Sequence, residues 1–254
     1  MTPTALNVAL VVADGGLALL ALGAIAYVRS QERANAARPA GPAYLVAGAV
    51  IVGWLALVLV LAGEGTFQTT PRSTFPPLIG FGIFAPIVLG CALYALVPGF
   101  RERVARIPLV WLVGVQFLRV AGGLFLIGYA LDELPGEFAL PAGIGDVLVG
   151  IAAPFVAYRL ATRGIERARG AVLAWCALGI LDLVVAVTCG FLTAPSTFQQ
   201  LALADPNQAI TSYPFVLIPV FAVPLAVLAH IYVVARARTA HAAPTARIQR
   251  AQAA

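Results

Sequence analysis

The sequence predicts an all-α fold, a bundle of seven transmembrane helices. Hydrophobic residues make up 61% of the 254 residues and charged residues only 11%. The mean hydropathy is +0.94, far above that of soluble globular domains. Seven apolar stretches are each long enough to cross the hydrocarbon of a bilayer, which takes roughly twenty helical residues. These observations together predict a multi-pass membrane protein.

The predicted spans follow one another with short polar connections between them. They cover approximately 5–28, 44–63, 76–97, 108–131, 141–160, 170–194 and 213–235. Because no polar block is long enough to build a soluble core, residues 1–235 are predicted to form one transmembrane domain. Residues 236–254 are basic, and we expect a disordered cytoplasmic tail.

The distribution of charge predicts the orientation of the chain. Fourteen of the sixteen arginines fall on one side when the chain alternates through seven spans. The loops on the other side carry Glu64, Asp132, Glu133, Glu137 and Asp205 against Arg72. The positive-inside rule assigns the arginine-rich side to the cytoplasm, so the N-terminus is predicted to lie outside. The lipid bilayer is then the partner of the basic residues, and no nucleic-acid partner is expected.

Short similar segments in the two halves of the sequence predict an internal repeat. Segments 75–94 and 213–232 align without a gap, since both begin with an aromatic residue and proline, carry a proline ten residues on and end in tyrosine. A Thr-Phe-Gln triplet precedes each, at 66–68 and 197–199. Spans 1–3 and 5–7 would then be parallel repeats with span 4 as the linker. Chance matches in low-complexity apolar sequence are the competing interpretation.

Several polar side chains fall inside the predicted spans. An unpaired charge at mid-bilayer costs on the order of 3 kcal/mol, so these groups should face the interior and find partners. We expect Arg119 to pair with Asp182, Asp146 or both. The candidate residues for binding a solute or proton are Asp14, Gln116, Arg119, Asp146, Asp182 and His230.

Two interpretations of these buried charges are open. One arginine against three carboxylates leaves an excess of acid that would suit a proton-binding site. A buried arginine can also serve only to fix the register of helices, without any transport or catalysis. A single histidine in an apolar span, here His230, is in the same way more often a core residue than a proton relay.

The residue types that the sequence lacks exclude several kinds of chemistry. All sixteen basic residues are arginine, so no lysine is present to form a Schiff base with retinal. One histidine within the spans and three scattered cysteines offer no metal or haem constellation, and we expect neither a metal nor a cofactor. All four serines lie outside the spans, which argues against a serine nucleophile in the membrane.

The segment GIGD, residues 143–146, resembles the GxGD element of intramembrane aspartyl proteases. In those enzymes two membrane carboxylates share a proton and activate water. Asp182 or Asp14 would have to be the second acid here. Leu181 and Ala13 precede these aspartates where the family has tyrosine, and no PAL element follows. A protein without enzymatic activity is therefore favoured.

Three motifs, QFLRVAGG, LPAGIGDVLVG and YPFVLIPVFAVPLAVLAH, resemble a group of uncharacterised bacterial multi-span membrane proteins over residues 116–230. The resemblance implies a bacterial cytoplasmic membrane location and a role for Arg119, Asp146 and His230. It implies no activity.

The leading functional hypothesis is a small-solute or proton-coupled transporter or binding protein with a charged intramembrane site. Prolines in spans 3 and 7, namely Pro86, Pro219 and Pro224, are expected to allow movement. The alternatives are an accessory or structural membrane subunit and, less favoured, the aspartyl protease. The sequence predicts neither the solute, the direction of transport, a partner subunit nor the oligomeric state.

Overall fold

The computed structural model of the chain describes residues 3–34, 43–74 and 77–252, and within these ranges it is all-helical, without a strand. The predicted fold class is confirmed. Six helices in this part of the chain are long and apolar enough to cross a membrane.

The helices are named in chain order. They are α1 (Pro3–Ala34), α2 (Ala43–Gly63), α3 (Leu78–Leu96), the short α4 (Pro98–Arg106), α5 (Leu109–Ala130), α6 and α7, which together form the segment Gly136–Thr193, and α8, whose regular part is Val223–Gln252. Only α4 was not predicted. It is a charged helix that begins at Pro98 directly after α3, where proline suits the first helical turn.

The segment Gly136–Thr193 comprises two spans that meet at Gly164. A single helix of its 58 residues would be about 87 Å long, far more than a bilayer needs. Gly164 has φ 69° and ψ 166°, a conformation that glycine adopts readily and other residues avoid. We therefore divide the segment into α6 (136–163) and α7 (165–193). Trp175 Nε1 donates a hydrogen bond to the Val149 carbonyl at 3.1 Å, so the two helices pack as an antiparallel hairpin and the spans number seven in the described residues.

The last span begins later than predicted. Its first turn is a wide π turn over Ile218–Ala222, followed by Val223–Gln252, whereas the sequence predicted a start at residue 213. Pro219 and Pro224 have no amide hydrogen, so the regular ladder of hydrogen bonds cannot form there. The helix also continues past residue 235, and the division between domain and tail stays a prediction.

Helix α8 lies at the centre of the bundle and contacts α3, α5 and the α6–α7 hairpin, while its wide turn contacts α1 and α2. Half of its most apolar window is buried, against 11% for α2. Large apolar side chains cover the outside of the bundle, for example Leu19, Leu57 and Phe155, which are 71%, 55% and 70% exposed. An apolar surface of this extent suits a lipid environment.

Helices α3 and α8 run in the same direction and touch at equivalent positions of the predicted repeat. The contacting pairs are Gly82 with Val220, Gly90 with Leu228 and Tyr94 with Tyr232. Their members are 138 positions apart, which is the shift that aligns 75–94 with 213–232. Two repeats beside a local two-fold axis along the membrane normal would give this pairing. The repeat over all seven spans stays a prediction.

Candidate functional site

The middle of α5 is wound as a 3-10 helix over Val115–Gly122. In this geometry residues three positions apart lie directly above one another. Gln116, Arg119 and Gly122 therefore form a single stripe, and all three are buried against the bundle. The sequence predicted a shared face for these residues, and the tighter winding aligns them along it.

Arg119 is the centre of a buried ionic cluster. Its Nε donates to Asp146 Oδ1 at 2.7 Å, and its Nη2 donates to Asp182 Oδ2. Its Nη1 donates to the Gly179 carbonyl at 3.2 Å and lies 3.2 Å from His230 Nε2. Of the expected alternatives, Asp182, Asp146 or both, Arg119 pairs with both. We call Arg119, Asp146, Asp182 and His230 the Arg119 cluster.

His230 belongs both to the core and to the cluster. Its side chain is fully buried, and its ring packs on Trp175 with 4.7 Å between centroids. Because a guanidinium has only donors, Nε2 must accept from Arg119, which assigns the ring proton to Nδ1. In the described part of the chain this Nδ1 has no hydrogen-bond partner. The neutral His230 ring thus accepts a hydrogen bond from Arg119 through Nε2. Its Nδ1–H is a donor that no described residue uses.

Glycines let the helices approach closely around the cluster. A Cβ at Gly179 would lie 2.5 Å from His230 Nε2 and 3.2 Å from Arg119 Nη1, and a Cβ at Gly145 would overlap the Asp182 carboxylate. The role of the Gly179 carbonyl as an acceptor was not predicted. The signal in the sequence was its position one turn before Asp182 on the same face of α7.

The GIGD segment has a packing role in this arrangement. A Cβ at Gly143 would lie 3.0 Å from the Gly122 carbonyl, so glycine permits close contact between α6 and α5. In aspartyl proteases the two carboxylates share a proton between them. Asp146 and Asp182 are also close neighbours of each other, but here both accept a hydrogen bond from Arg119. Helix packing accounts for the glycines that suggested the protease.

Asp14 lies apart from the cluster. Its side chain is 2% exposed, and neither carboxylate oxygen has a hydrogen-bond partner among the described residues. It lines a cavity of about 90 Å³ together with Gln116, Arg119 and Asp146. Gln116 is held there by a hydrogen bond from its Nε2 to the Ala226 carbonyl at 3.0 Å. The six predicted residues therefore surround one interior region, with four in direct contact and two reaching it through the cavity.

A second, mostly apolar cavity of about 50 Å³ lies on the other side of Asp146. Four phenylalanines contribute to its wall, Phe125, Phe138, Phe191 and Phe198, and Asp146 is the only charged residue among the described residues that line it. Thr74 and Ser196, from the segments that follow α2 and α7, also line it. This end is the predicted outer side. Four residues, Asp146, Leu183, Ile218 and Val223, line both cavities.

The predicted cytoplasmic side of the cluster is a close-packed core. Val113, Val172, Cys176 and Val233 are all fully buried there, in one cluster with the inner halves of α6 and α7. Apolar packing of this kind leaves little room for water. The Arg119 cluster thus has the 50 Å³ cavity on its predicted outer side and an apolar core between α6 and α7 on its inner side. The 90 Å³ cavity lies beside the cluster and reaches inward as far as Val115 and Ala229.

A family described as a domain of unknown function (DUF8737) matches residues 76–238, which is more than half of the chain. The chain belongs to this family. No curated protein and no solved structure matches it. This match confirms the expected resemblance to an uncharacterised family. The DUF8737 segment contains α3 to α7, the start of α8 and the whole Arg119 cluster, whereas Asp14 lies outside it.

Proposed function

We propose that the chain is a multi-pass protein of the bacterial cytoplasmic membrane, with its N-terminus outside, that binds a small solute or a proton at the Arg119 cluster and carries it across. The observation that supports this most is the position of the cluster, next to a cavity lined by outer-side residues and above a packed inner core. A cavity on the outer side of a site and a packed core on its inner side are what a carrier has in one of its two states.

The charge of the cluster favours a cationic ligand or a proton. Arg119 brings one positive charge, while Asp146 and Asp182 bring up to two negative charges, and the neutral His230 adds none. A net charge in a low-dielectric interior is costly, because desolvation of each ion amounts to several kcal/mol. Binding a proton or a cationic solute removes that cost, whereas an anion would add to it.

Two irregular segments beside the cluster support movement. The 3-10 segment of α5 carries Arg119, and the wide turn Ile218–Ala222 at the start of α8 lines both cavities through Ile218. Departures from regular α-helix often lie at functional hinges. Transport through the inner core would require α5 and α8 to separate on the cytoplasmic side of His230.

Thermal stabilisation of the purified protein tests the proposal. The probes are four panels of small solutes, cationic, anionic, neutral polar and apolar, each at saturating concentration. A ligand at a hundred times its Kd stabilises the folded state by about 2.7 kcal/mol. We expect a cationic solute to raise the Tm of the wild type but not of Asp182→Asn. Equal shifts in wild type and Asp182→Asn would contradict binding at the cluster, and the absence of a shift with any panel would contradict the binding of a solute.

An accessory-subunit role is favoured by a different observation. All three nitrogens of the Arg119 guanidinium already have protein acceptors, which is also what a purely structural seam between helices needs. This alternative predicts a partner that co-purifies in fixed proportion. It also predicts that the doubly exchanged variant Arg119→Asp/Asp182→Arg keeps the function of the complex.

A further inference from the structure

Asp14 interrupts an apolar stripe that faces the bundle. Leu6, Leu10, Asp14 and Ala18 recur every fourth residue of α1, and each is at least nine-tenths buried. The other three pack as apolar residues, so the position itself demands no charge. A carboxylate that is buried without a donor costs the full desolvation of the group. Packing of α1 therefore gives no reason for an acid at residue 14.

The groups facing Asp14 across the 90 Å³ cavity do not neutralise it. Helix α5 contributes Gln116 and Arg119, and α6 contributes Asp146, whereas the lining residues from α7 and α8 are all apolar. The Arg119 nitrogens are engaged with Asp146, Asp182 and Gly179. Asp14 therefore faces a mostly apolar cavity without a counter-ion of its own.

The chemistry of the cavity favours a proton as the ligand of Asp14. A metal cation takes several oxygen ligands at once, and no cluster of three or more His, Cys, Asp or Glu side chains suited to a metal is present in the described residues. A proton needs only one carboxylate oxygen and a path of water. At about 30 Å³ per water, a cavity of about 90 Å³ has room for roughly three, and Gln116, Arg119 and Asp146 supply polar partners for them.

We propose that Asp14 is a proton-binding site distinct from the Arg119 cluster, which exchanges its proton through water in the cavity that the two share. A hydronium in the cavity gives its proton to a carboxylate oxygen of Asp14 and becomes water, and the reverse step unloads the site. The inference rests on the proposed function in one respect, since it gives Asp14 the coupling proton and leaves the solute to the cluster.

Occupancy of this site would be linked to the position of α1. The protonated acid is neutral and fits the apolar stripe. The ionised acid is an unpaired charge that costs on the order of 3 kcal/mol inside a bilayer. Loss of the proton therefore favours a shift of α1 that brings Asp14 closer to Arg119, the only basic residue among the described residues that line the shared cavity.

Modification by dicyclohexylcarbodiimide tests the proposal on the full-length protein in detergent. This apolar reagent adds to protonated carboxyl groups that it reaches inside the bundle. We expect label on Asp14 by peptide mass spectrometry, decreasing as the pH is raised. Asp14→Asn should lose the label on α1 completely, while Asp146→Asn should keep it. The exposed loop residues Asp132 and Glu133 serve as comparators outside the bundle.

A second measurement does not depend on whether the carbodiimide reaches Asp14. The infrared carbonyl band of a protonated carboxyl group should be present in the wild type, lost in Asp14→Asn and retained in Asp146→Asn. Absence of the Asp14 label together with an unchanged band in Asp14→Asn would overturn the inference while leaving solute binding at the cluster intact. A labelled Asp14 combined with unaltered solute binding in Asp182→Asn would instead overturn the proposed function.

Discussion

The bundle holds carboxylates in two different environments. Asp146 and Asp182 lie between α5, α6 and α7 and both accept hydrogen bonds from Arg119, whereas Asp14 on α1 has no partner in the described residues. Burial does not distinguish them, because Asp146 is 8% exposed and Asp14 is 2% exposed. The difference is the presence of a cation. The ion pairs of Asp146 and Asp182 with Arg119 hold three helices together, whereas Asp14 makes no such link.

The two environments also belong to different parts of the chain. The Arg119 cluster falls entirely within the DUF8737 segment, while Asp14 precedes it. Helix α2, which follows Asp14's helix, is the least buried of the long helices. The α1–α2 pair contributes to the interior of the family segment through the stripe that contains Asp14 and through Val58 and Ala62 of α2.

Of the substitutions that test this difference, removal of the Arg119 charge should change the free energy of unfolding most. In Arg119→Gln, Asp146 and Asp182 become buried acids without a partner, as Asp14 is now. Breaking a buried ion pair on one side costs about 3–5 kcal/mol. We expect the free energy of unfolding, measured by denaturant titration in detergent, to fall by that amount.

The matched control removes all three charges. Arg119→Gln/Asp146→Asn/Asp182→Asn leaves no unpaired ion, so it should recover most of the stability lost in Arg119→Gln. If Arg119→Gln alone unfolds within about 0.5 kcal/mol of the wild type, the range typical of surface substitutions, the ion pairs do not hold the bundle.

Substitution of Gly179, which lies beside the Arg119 cluster, should have the next largest effect on stability. A methyl group at Gly179 would press on His230 and Arg119, and overpacking of this kind costs about 1–3 kcal/mol. We expect Gly179→Ala to lower the Tm. Gly170→Ala on the same helix has open space around its Cβ and should be neutral or stabilising by up to about 1 kcal/mol. Equal effects at the two glycines would refute the close packing around Arg119.

Neutralisation of Asp14 should have the smallest effect on stability. No hydrogen bond or ion pair is lost in Asp14→Asn, so we expect a change within about 0.5 kcal/mol, as at sites without special interactions. The measurement is the same denaturant titration. A loss of 2 kcal/mol or more, roughly the cost of removing a hydrogen bond to a charged group, would reveal a partner of Asp14 and weaken the contrast with the cluster.

The sequence predicted the membrane fold because that prediction depends on summed hydrophobicity. It also predicted that Arg119 would meet Asp182, Asp146 or both, because lone ions are costly in hydrocarbon wherever the helices lie. It did not predict the 3-10 winding around Arg119 or the wide turn before Pro224. Such departures depend on which neighbour offers a hydrogen bond or a contact, as Ala226 does for Gln116, and that information is tertiary.

The sequence likewise treated Asp14 as one more member of the charged group. Its helix carries an acid at a depth similar to that of the others, and only the arrangement of α1 around the bundle separates it from Arg119. The length of α8 and the irregular segment before Ile218 were missed for a related reason, since hydropathy marks apolar residues and does not distinguish a helix from a buried turn.

Solvent access to the cluster from outside the cell tests the central claim most directly. The native Cys91, Cys176 and Cys189 are first replaced, and single cysteines are placed at Ala186, one turn from Asp182 in the outer cavity, at Thr74 at its mouth and at Ala157 in the inner core. A membrane-impermeant maleimide is then applied to intact cells. We predict that Thr74→Cys and Ala186→Cys react and that Ala157→Cys does not. Reaction at Thr74→Cys alone would show a dry seam around Arg119 and contradict a binding site there.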